Sequence, residues 1–335
     1  MKTRLLGRTG IRVSRLCFGT MSFGDVADAA TSAAMYRRCR EAEVNLFDCA
    51  NVYSAGKSEQ ILGKLIAPER DRIVLISKVG FPMGTDPNAR GLSRRHILTA
   101  VEASLARLAT DRIDILFVHT FDHDTPMDET LHALNLMVRQ GKVLHVGASN
   151  WAAWQIATAL GVSAMSDLPA FSCIQPMYNL VKRQAEVELL PLAEAKELGV
   201  ITYSPLGGGL LTGKYGVGRQ PARGRLVEND MYRARYGAAS YFETADGLIR
   251  SAEALGVDPV TLAVSWVAKH PAVTAPIIGA RTVEQLEPSL AAGEFVLDDE
   301  TYEALCRLSP TPPPATDRAE EQIGLSYKGS EEKYK

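Results

Sequence analysis

The sequence lacks a net charge of either sign and has few cysteines. Its 335 residues carry 37 lysines and arginines against 39 aspartates and glutamates, so no surplus of charge is present to attract nucleic acid or an anionic membrane. The five cysteines are odd in number, far apart and without a CxxC pair, which argues against a disulfide framework and against a zinc cluster. We expect a cytoplasmic protein with no bound metal and no nucleic-acid partner.

Long hydrophobic runs are missing as well. The opening MKTRLLGRTG carries charges and glycines where a secretory signal would have an apolar core. The longest stretch without Asp, Glu, Lys or Arg, residues 143–166, contains His145, Asn150 and Gln155 and is too polar for a membrane span. The GxGxxG turn that marks a dinucleotide-binding Rossmann fold is also absent. A dinucleotide, if one is used, must therefore be bound in another way.

The sequence does contain short apolar runs that alternate with segments of helical period, which is typical of βα units and a parallel sheet. Eight runs predict strands: RLCFG from Arg15, NLFD from Asn45, RIVLISK from Arg72, IDILFVH from Ile113, VLHVGAS from Val143, FSCIQP from Phe171, GVITYSP from Gly199 and TAPIIGA from Thr274. Eight such units without a break in composition favour one α/β domain over residues 1–335, an eight-stranded parallel (β/α) TIM barrel with long loops at its C-terminal face.

Segments outside this repeat have their own patterns. MKTRLLGRTGIRV, with an Arg-Thr-Gly turn between two apolar pieces, predicts a β-hairpin before the barrel. Residues 214–239 are rich in Gly, Arg and Tyr and lack an apolar period, so we expect a large functional loop there. The tail 310–335 is expected to be irregular.

Two of the intervening helices have recognisable ends. In TPMDETLHALNLMVRQGK, Thr125 is a candidate cap, Pro126 suits the first turn and Gly141 suits the end. A second helix is expected to begin at Ser93. The apolar stripes of the two helices are Met127, Leu131, Leu134 and Met137 in the first, and Ile97, Val101, Leu105 and Leu108 in the second.

Polar residues close most of the predicted strands, and the carboxyl ends of barrel strands form the active-site rim. Asp48, Lys78 and His119 end three successive runs, and Tyr53 follows the first of them in a loop. Each residue alone has an ordinary structural explanation, such as a hydrogen bond to loop backbone. All four together indicate acid–base chemistry.

The physical reason lies in the tyrosine. A phenol with a pKa of about 10 is a poor proton donor at neutral pH. A neighbouring Lys78 ammonium is expected to lower the pKa of Tyr53, and Asp48 to keep that ammonium charged and oriented. His119 is expected to orient or polarise a carbonyl oxygen. Tyr53 would then give its proton to that oxygen.

A hydride source would complete this chemistry. The segment YSPLGGGLLTGKY, which starts at Tyr203, offers a ring to stack on a nicotinamide and backbone donors for a pyrophosphate. Ser149, Asn150 and Gln175 could bind a carboxamide. Thr282 and Gln285 have the spacing of a capping box, which leaves a helix amino terminus beside Arg281 for a phosphate. Arg281 favours NADP over NAD. For Gln285, capping and ligand contact are both open.

These motifs identify a resemblance. LLGRTGIRVSRLCFGTMSFG, DCANVY, SEQILGKLI, ISKVG, IDILFVH, GKVLHVGASNW, IQPMYN, YSPLGGGLLTGKY and IIGART resemble the aldo-keto reductase superfamily, in the branch related to voltage-gated potassium channel beta subunits. The resemblance covers residues 2–290. It implies NADP(H) as cofactor and a catalytic tetrad of Asp48, Tyr53, Lys78 and His119. It also implies cofactor-binding residues, namely Gly19, Thr20, Met21, Asp48, Ser149, Asn150, Gln175, Tyr203, Ser204, Pro205, Leu206, Lys214, Arg225, Gly279, Arg281 and Gln285.

The sequence departs from the family pattern at one place. Where the family often has Glu and Asn against the adenine, this chain has Pro288 and Ser289. The substrate pocket is expected to be apolar to aromatic, with contributions from Met21, Phe23, Tyr53, Phe81, His119 and Phe121. Trp151 and Trp154 are expected to pack their helix on the barrel.

Three functions fit these residues. The first is reversible NADPH-dependent reduction of an aldehyde or ketone to an alcohol. The second is a Schiff-base lyase that uses Lys78 as its nucleophile. The third is a nucleotide-binding redox-sensing or channel-associated subunit with slow turnover. Oligomeric state is not readable from the sequence.

Overall fold

The computed structural model describes residues 1–318 and residue 320. Two strands precede the main sheet and pair in antiparallel fashion, with Thr3 opposite Ser14: β1 (Thr3–Leu5) and β2 (Arg12–Ser14). The other strands are β3 (Cys17–Gly19), β4 (Leu46–Asp48), β5 (Val74–Val79), β6 (Ile113–Val118), β7 (Val143–Ser149), β8 (Cys173–Gln175), β9 (Gly199–Thr202) and β10 (Ala275–Ile278).

These eight strands form a closed parallel barrel in chain order, with β10 paired to β3. Each of the eight predicted runs overlaps one of them, so both the TIM barrel and the preceding hairpin are confirmed. Short apolar runs predicted the strands correctly because a barrel strand is buried on both faces.

Helices surround the barrel. They are α1 (Ala29–Glu41), α2 (Lys57–Ile66), α3 (Arg94–Leu108), α4 (Met127–Arg139), α5 (Ala153–Met165), α6 (Leu189–Ala195), α7 (Arg225–Glu228), α8 (Asp230–Tyr236), α9 (Ala239–Leu255), α10 (Pro259–Lys269), α11 (Val283–Ala291) and α12 (Asp299–Cys306). In the described part of the chain, none of them is both long and apolar enough to cross a membrane.

The ends of α3 and α4 test the capping predictions. Ser93 caps α3 by accepting from the backbone N–H of His96, as expected. The prediction for Thr125 is wrong: Pro126 is the N-cap residue of α4, and the Thr125 hydroxyl donates to Asp122 at 2.7 Å. Gly141 follows the end of α4 with a φ of 70°, a left-handed conformation that glycine adopts without strain.

Two apolar layers hold the barrel together. The inner layer is a cluster of side chains from alternate strand positions, closed at one end by Leu6 and Val13 of the hairpin region. The hairpin lies at the amino-terminal end of the barrel, where a Cβ on Gly7 would be only 2.5 Å from the backbone nitrogen of Gly199. The outer layer packs the other strand positions against the helices, including both predicted apolar stripes, of which Met127 alone is only partly buried. One end of the barrel is therefore closed by packing.

The interval 214–239 differs from the prediction of a loop without regular structure, because α7 and α8 lie inside it. Asn229 caps α8 through two backbone N–H groups, a local signal that needs no apolar period. The tail is irregular over residues 310–318, as expected. The rest of the predicted tail, apart from residue 320, lies outside the described residues.

Candidate active site

Strand periodicity aims three of the predicted catalytic side chains into the barrel. Side chains two apart on a strand point to the same face. Leu46, Ile76 and Phe117 belong to the inner cluster, and Asp48, Lys78 and His119 each follow one of them by two positions. The structure thus collects the three predicted residues over the inner layer, at the carboxyl ends of β4, β5 and β6.

Lys78 is the centre of a buried polar cluster. Its ammonium donates to Asp48 Oδ2 at 2.6 Å, to the carbonyl oxygen of Cys49 at 2.9 Å and to the Tyr53 hydroxyl at 3.0 Å. The Lys78 side chain is fully buried and Asp48 is 1% exposed. A buried ammonium needs both a counter-charge and hydrogen-bond partners, and this cluster supplies both.

The other oxygen of Asp48 has a partner that the sequence did not reveal. Gln175, at the end of β8, donates from Nε2 to Asp48 Oδ1 at 2.8 Å. Its predicted role was a carboxamide contact. The observed bond ties β8 to the Asp48–Lys78 pair. No local pattern could have shown it, because the two residues are 127 positions apart.

A strained turn sets the position of Tyr53. The turn Tyr53–Gly56 has left-handed φ values of 49° at Ser54 and 53° at Ala55, which cost energy for residues with a Cβ. The Ser54 hydroxyl donates to the carbonyl oxygen of Phe23 at 2.8 Å, and the Tyr53 N–H donates to that of Ala50 at 3.1 Å. These contacts hold the turn against its strain.

The electrostatic outcome at Tyr53 corrects the prediction. Burial disfavours the phenolate more than the Lys78 ammonium favours it, so the pKa of Tyr53 is raised to about 12. For Lys78, burial alone would lower the pKa, but Asp48 and Tyr53 outweigh it and the pKa is raised. At neutral pH the cluster therefore holds a neutral phenol, and the raised lysine pKa keeps the ammonium charged.

His119 is a neutral imidazole. Burial, together with the nearby Lys78 ammonium, lowers the pKa of His119 to about 2. Its ring lies 4.5 Å from the ring of Phe81 and 6.0 Å from that of Tyr53, both centroid to centroid. Its Nδ1 atom is buried and has no hydrogen-bond partner among the described residues. The ring thus keeps hydrogen-bonding capacity unused at the top of the barrel.

Next to His119, the predicted carboxamide-binding residues form a connected set. Asn150 has a φ of 59°, donates to the carbonyl oxygen of His119 at 2.9 Å and accepts from the Tyr203 hydroxyl at 2.7 Å. The Ser149 hydroxyl donates to the carbonyl oxygen of Gln175 at 2.9 Å. The Asn150 amide, the Ser149 hydroxyl and the Tyr203 ring thus lie together beside the Lys78 cluster.

The segment after Tyr203 presents unusual backbone. Ser204 has a φ of 58°, and Gly207, Gly208 and Gly209 have φ values between 57° and 103°. Such left-handed backbone can expose successive N–H groups to an anion. Pro205 is buried and Leu206 is half-buried, so these two side chains support the turn.

The residues predicted to bind a phosphate, at the start of α11, lie at the surface. Thr282 caps α11 by accepting from the N–H of Gln285, and Gln285 Oε1 accepts the N–H of Arg281 at 3.3 Å. The capping role of Gln285 is therefore present in the structure. Arg281, Lys214 and Gly279 are exposed. Arg225 begins α7, with its guanidinium 5.3 Å from the ring of Tyr232.

Three residues are placed differently from their predictions. Phe23 is fully buried against Phe18, with ring centroids 5.7 Å apart, so it cannot line a substrate pocket. Trp154 is 64% exposed instead of packing its helix on the barrel, as Trp151 does. Thr20 is fully buried, and both its hydroxyl and its backbone N–H donate to the carbonyl oxygen of Asp48, so neither donor is free for a cofactor. At the place where the chain departs from the family pattern, Ser289 is fully buried.

The side chains left for the substrate side surround His119. Phe81 contacts the His119 ring, and Phe121 lies 4.9 Å from Trp151 and 6.3 Å from Trp154 between ring centroids. Met21, on the turn after β3, is 44% exposed. The wall beside the acid–base cluster is thus aromatic and apolar.

Comparison with known proteins agrees with this geometry. The model of the Aldo/keto reductase family matches residues 15–309. The chain is 38% identical to "Uncharacterized oxidoreductase YrpG" of Bacillus subtilis over 328 residues, which is 93% of this chain and 97% of that protein. It is 37% identical to the "Probable voltage-gated potassium channel subunit beta" of Oryza sativa over 303 residues, which is 88% of this chain and 92% of that protein.

A third relative has a similar sequence identity to this chain. The "Putative voltage-gated potassium channel subunit beta" of Schizosaccharomyces pombe is 34% identical over 310 residues, or 88% of each chain. With a closed parallel barrel, polar side chains gathered at its carboxyl rim and a family match over most of its length, the chain belongs to the aldo/keto reductase family.

Proposed function

We propose that the protein catalyses the NADPH-dependent reduction of an aldehyde or ketone to an alcohol, reversibly, with Tyr53 as the general acid. The observation that carries this proposal is the Lys78 ammonium, which lies 3.0 Å from the Tyr53 hydroxyl and 2.6 Å from Asp48 Oδ2. We place the activity in the cytoplasm, since all five thiols are free and four are buried.

The neutral state of Tyr53 suits a proton donor. With a pKa of about 12, the phenol carries its proton at neutral pH. When it gives that proton to an oxygen that is becoming an alkoxide, the phenolate that remains faces the Lys78 ammonium. Asp48 keeps the ammonium charged, so the stabilisation grows as negative charge develops on the phenol oxygen. The same pair takes the proton back in the direction of alcohol oxidation.

His119 would hold the carbonyl group. A neutral imidazole has one N–H, and a hydrogen bond from it to the carbonyl oxygen would polarise the double bond. The low pKa of His119 keeps the ring from competing with Tyr53 as an acid. Phe81 packs on the imidazole and limits its rotation.

The residues present fit an extended NADP(H). Tyr203, Asn150 and Ser149 would hold the nicotinamide ring and its carboxamide. The left-handed backbone from Ser204 to Gly209 would receive the pyrophosphate, and the exposed Arg281 at the start of α11, a helix of nine residues, would receive a phosphate. Bound NADPH would supply a hydride to the substrate's carbonyl carbon. Phe81, Phe121 and Met21 would favour an apolar or aromatic substrate.

Substitution of Tyr53 tests the proposal. Tyr53→Phe should lower kcat for carbonyl reduction by roughly two to four orders of magnitude, because a positioned general acid contributes about that much. The affinity for NADPH should stay nearly unchanged. Tyr36→Phe is the matched control, since the Tyr36 hydroxyl bonds Glu69 on the outside of the barrel. Full turnover by Tyr53→Phe on every aldehyde that the wild type reduces would reject the assignment.

The Schiff-base alternative is disfavoured by the same geometry. A nucleophilic lysine must be neutral, whereas Lys78 contacts Asp48 at 2.6 Å and its pKa is raised. Borohydride in the presence of a carbonyl substrate should therefore leave no adduct on Lys78.

A nucleotide-binding subunit with slow turnover is the second candidate. It is favoured by the similarity to proteins named as probable or putative potassium channel beta subunits. Steady-state NADPH consumption with a panel of aldehydes separates the two, since the proposed enzyme should consume NADPH in many cycles and the subunit in about one.

A further inference from the structure

A cavity lies beside the acid–base cluster, among residues of the loops that follow β4 and β5. It is partly open, has a volume of about 300 Å³ and lies between the loop 83–89 and the outer face of α3. Asn51 borders it, as do Arg95, His96 and Arg107 of α3. Tyr53, Lys78 and His119 do not line it. The volume is at the lower end of the range for small-molecule sites, which starts at roughly 300 Å³.

Two buried polar side chains that border this cavity lack partners. Asn51 is 1% exposed, yet neither its Nδ2 nor its Oδ1 has a hydrogen-bond partner among the described residues. His96 is 5% exposed, and its Nε2 is also without a partner there. Buried polar atoms are nearly always paired, because an unpaired one costs roughly 1–3 kcal/mol. The cavity is therefore bordered by two side chains, Asn51 and His96, whose buried amide and imidazole atoms have unused hydrogen-bonding capacity.

The cavity also has an available cation. Arg94 pairs with Glu129 at 2.8 Å, and Arg107 pairs with the buried Glu59 at 2.7 Å. Arg95 lies between them in sequence and has no acidic partner within residues 1–318 and 320. Asp86 also borders the cavity, so a second negative charge on the ligand would be repelled.

We propose that this cavity binds a small polyhydroxylated monocarboxylate. The Arg95 guanidinium would take the carboxylate, in the paired geometry that guanidinium and carboxylate favour. Hydroxyl groups would meet the Asn51 amide, which needs both a donor and an acceptor, and the neutral imidazole of His96, the pKa of which is lowered by burial. Inorganic phosphate fits less well, because it offers few donors to Asn51 Oδ1. The site is independent of the proposed reduction, since it shares no residue with the acid–base cluster or the predicted cofactor contacts.

Three six-carbon probes test the ligand class by isothermal titration calorimetry. Gluconate has the carboxylate and the hydroxyls, hexanoate has only the carboxylate, and sorbitol has only the hydroxyls. Gluconate should bind at least about tenfold more tightly than either of the others, because each of them leaves a polar or charged group of the site unpaired. No measurable binding of gluconate, or equal binding of hexanoate, would overturn the proposal.

Variants locate the binding. Arg95→Ala should weaken gluconate by about tenfold or more, whereas Arg94→Ala, its neighbour on the same helix, should not change it. Asn51→Ala should also weaken it, and His96→Gln gives a second readout if Asn51→Ala does not fold. An equal effect of Arg94→Ala and Arg95→Ala would overturn the proposal.

Two controls test whether gluconate binds at the predicted nucleotide site instead of in the cavity. Gluconate binding should persist in Arg281→Ala and in the presence of saturating NADP. Loss of gluconate binding in Arg281→Ala would show that the anion occupies the predicted phosphate site and would overturn the proposal. Failure of NADP to bind would reject the proposed reduction while leaving the gluconate result intact.

Discussion

The Asp48–Lys78 pair should behave as a unit in the free energy of unfolding. Asp48→Asn removes the negative charge but keeps the shape, so the fully buried Lys78 ammonium has hydrogen-bond acceptors but no counter-charge. Lys78→Met leaves a buried carboxylate with Gln175 as its remaining donor. Removal of one member of a buried ion pair costs about 3–5 kcal/mol, and each single variant should lose about that much.

The double variant distinguishes this reasoning from simple loss of contacts. With both charges gone, the main remaining penalty is the unpaired amide at position 48, roughly 1–3 kcal/mol. The coupling energy should therefore be at least about 3 kcal/mol, the upper end for residues in contact. Urea unfolding of the wild type, the two single variants and the double variant completes the cycle. Additivity within about 0.5 kcal/mol would refute the claim that the two charges compensate one another.

Three further predictions follow from the site and the fold. Because the pKa of His119 is about 2 when folded and about 6.5 when unfolded, the unfolded state binds more protons between these values, so stability falls as pH drops below about 6.5. His119→Gln should lose less unfolding free energy than the wild type on acidification from pH 6.5 to 5, measured by urea titration; an equal loss would contradict burial of a neutral ring. Arg281→Ala should raise the Kd for NADPH by about tenfold or more and that for NADH by less than about twofold, measured by fluorescence titration, and an equal change would contradict contact with the 2′-phosphate. Leu6→Ala should cost about 2–5 kcal/mol of unfolding free energy with kcat unchanged, and a fall in kcat under conditions where the variant is fully folded would contradict the separation of the closed end from the site.

The barrel was predictable because its information is local. Each strand is a short run such as VLHVGAS, and a period of two along the run already decides which side chains face inward. That is why the sequence alone places Asp48, Lys78 and His119 on one rim. Asn229, by contrast, starts α8 through a cap inside a segment without an apolar period, so the pattern gave only a loop.

The sequence could not show how deeply each side chain is buried. Phe23 and Trp154 were assigned by residue type, but the first is fully buried and the second is 64% exposed. The direction of the pKa shift at Tyr53 was wrong for the same reason, since the effect of Lys78 can be read from its proximity whereas the larger effect of burial cannot. The bond from Gln175 to Asp48 and the cavity beside Asn51 depend on residues far apart in the chain, so the spacing of residues in the sequence does not predict them.

The hairpin β1–β2 offers a point of attachment on the side of the barrel opposite to the active-site rim. Its turn, at Arg8 and Gly10, is exposed on the side of the barrel opposite to Tyr53, and Leu6 and Val13 fill the space behind it. A linker, a fluorophore or a solid support attached at that turn would be anchored to the end of the barrel that Leu6 and Val13 close. Molecules immobilised in this way would all stand with their open rims toward the surrounding solution.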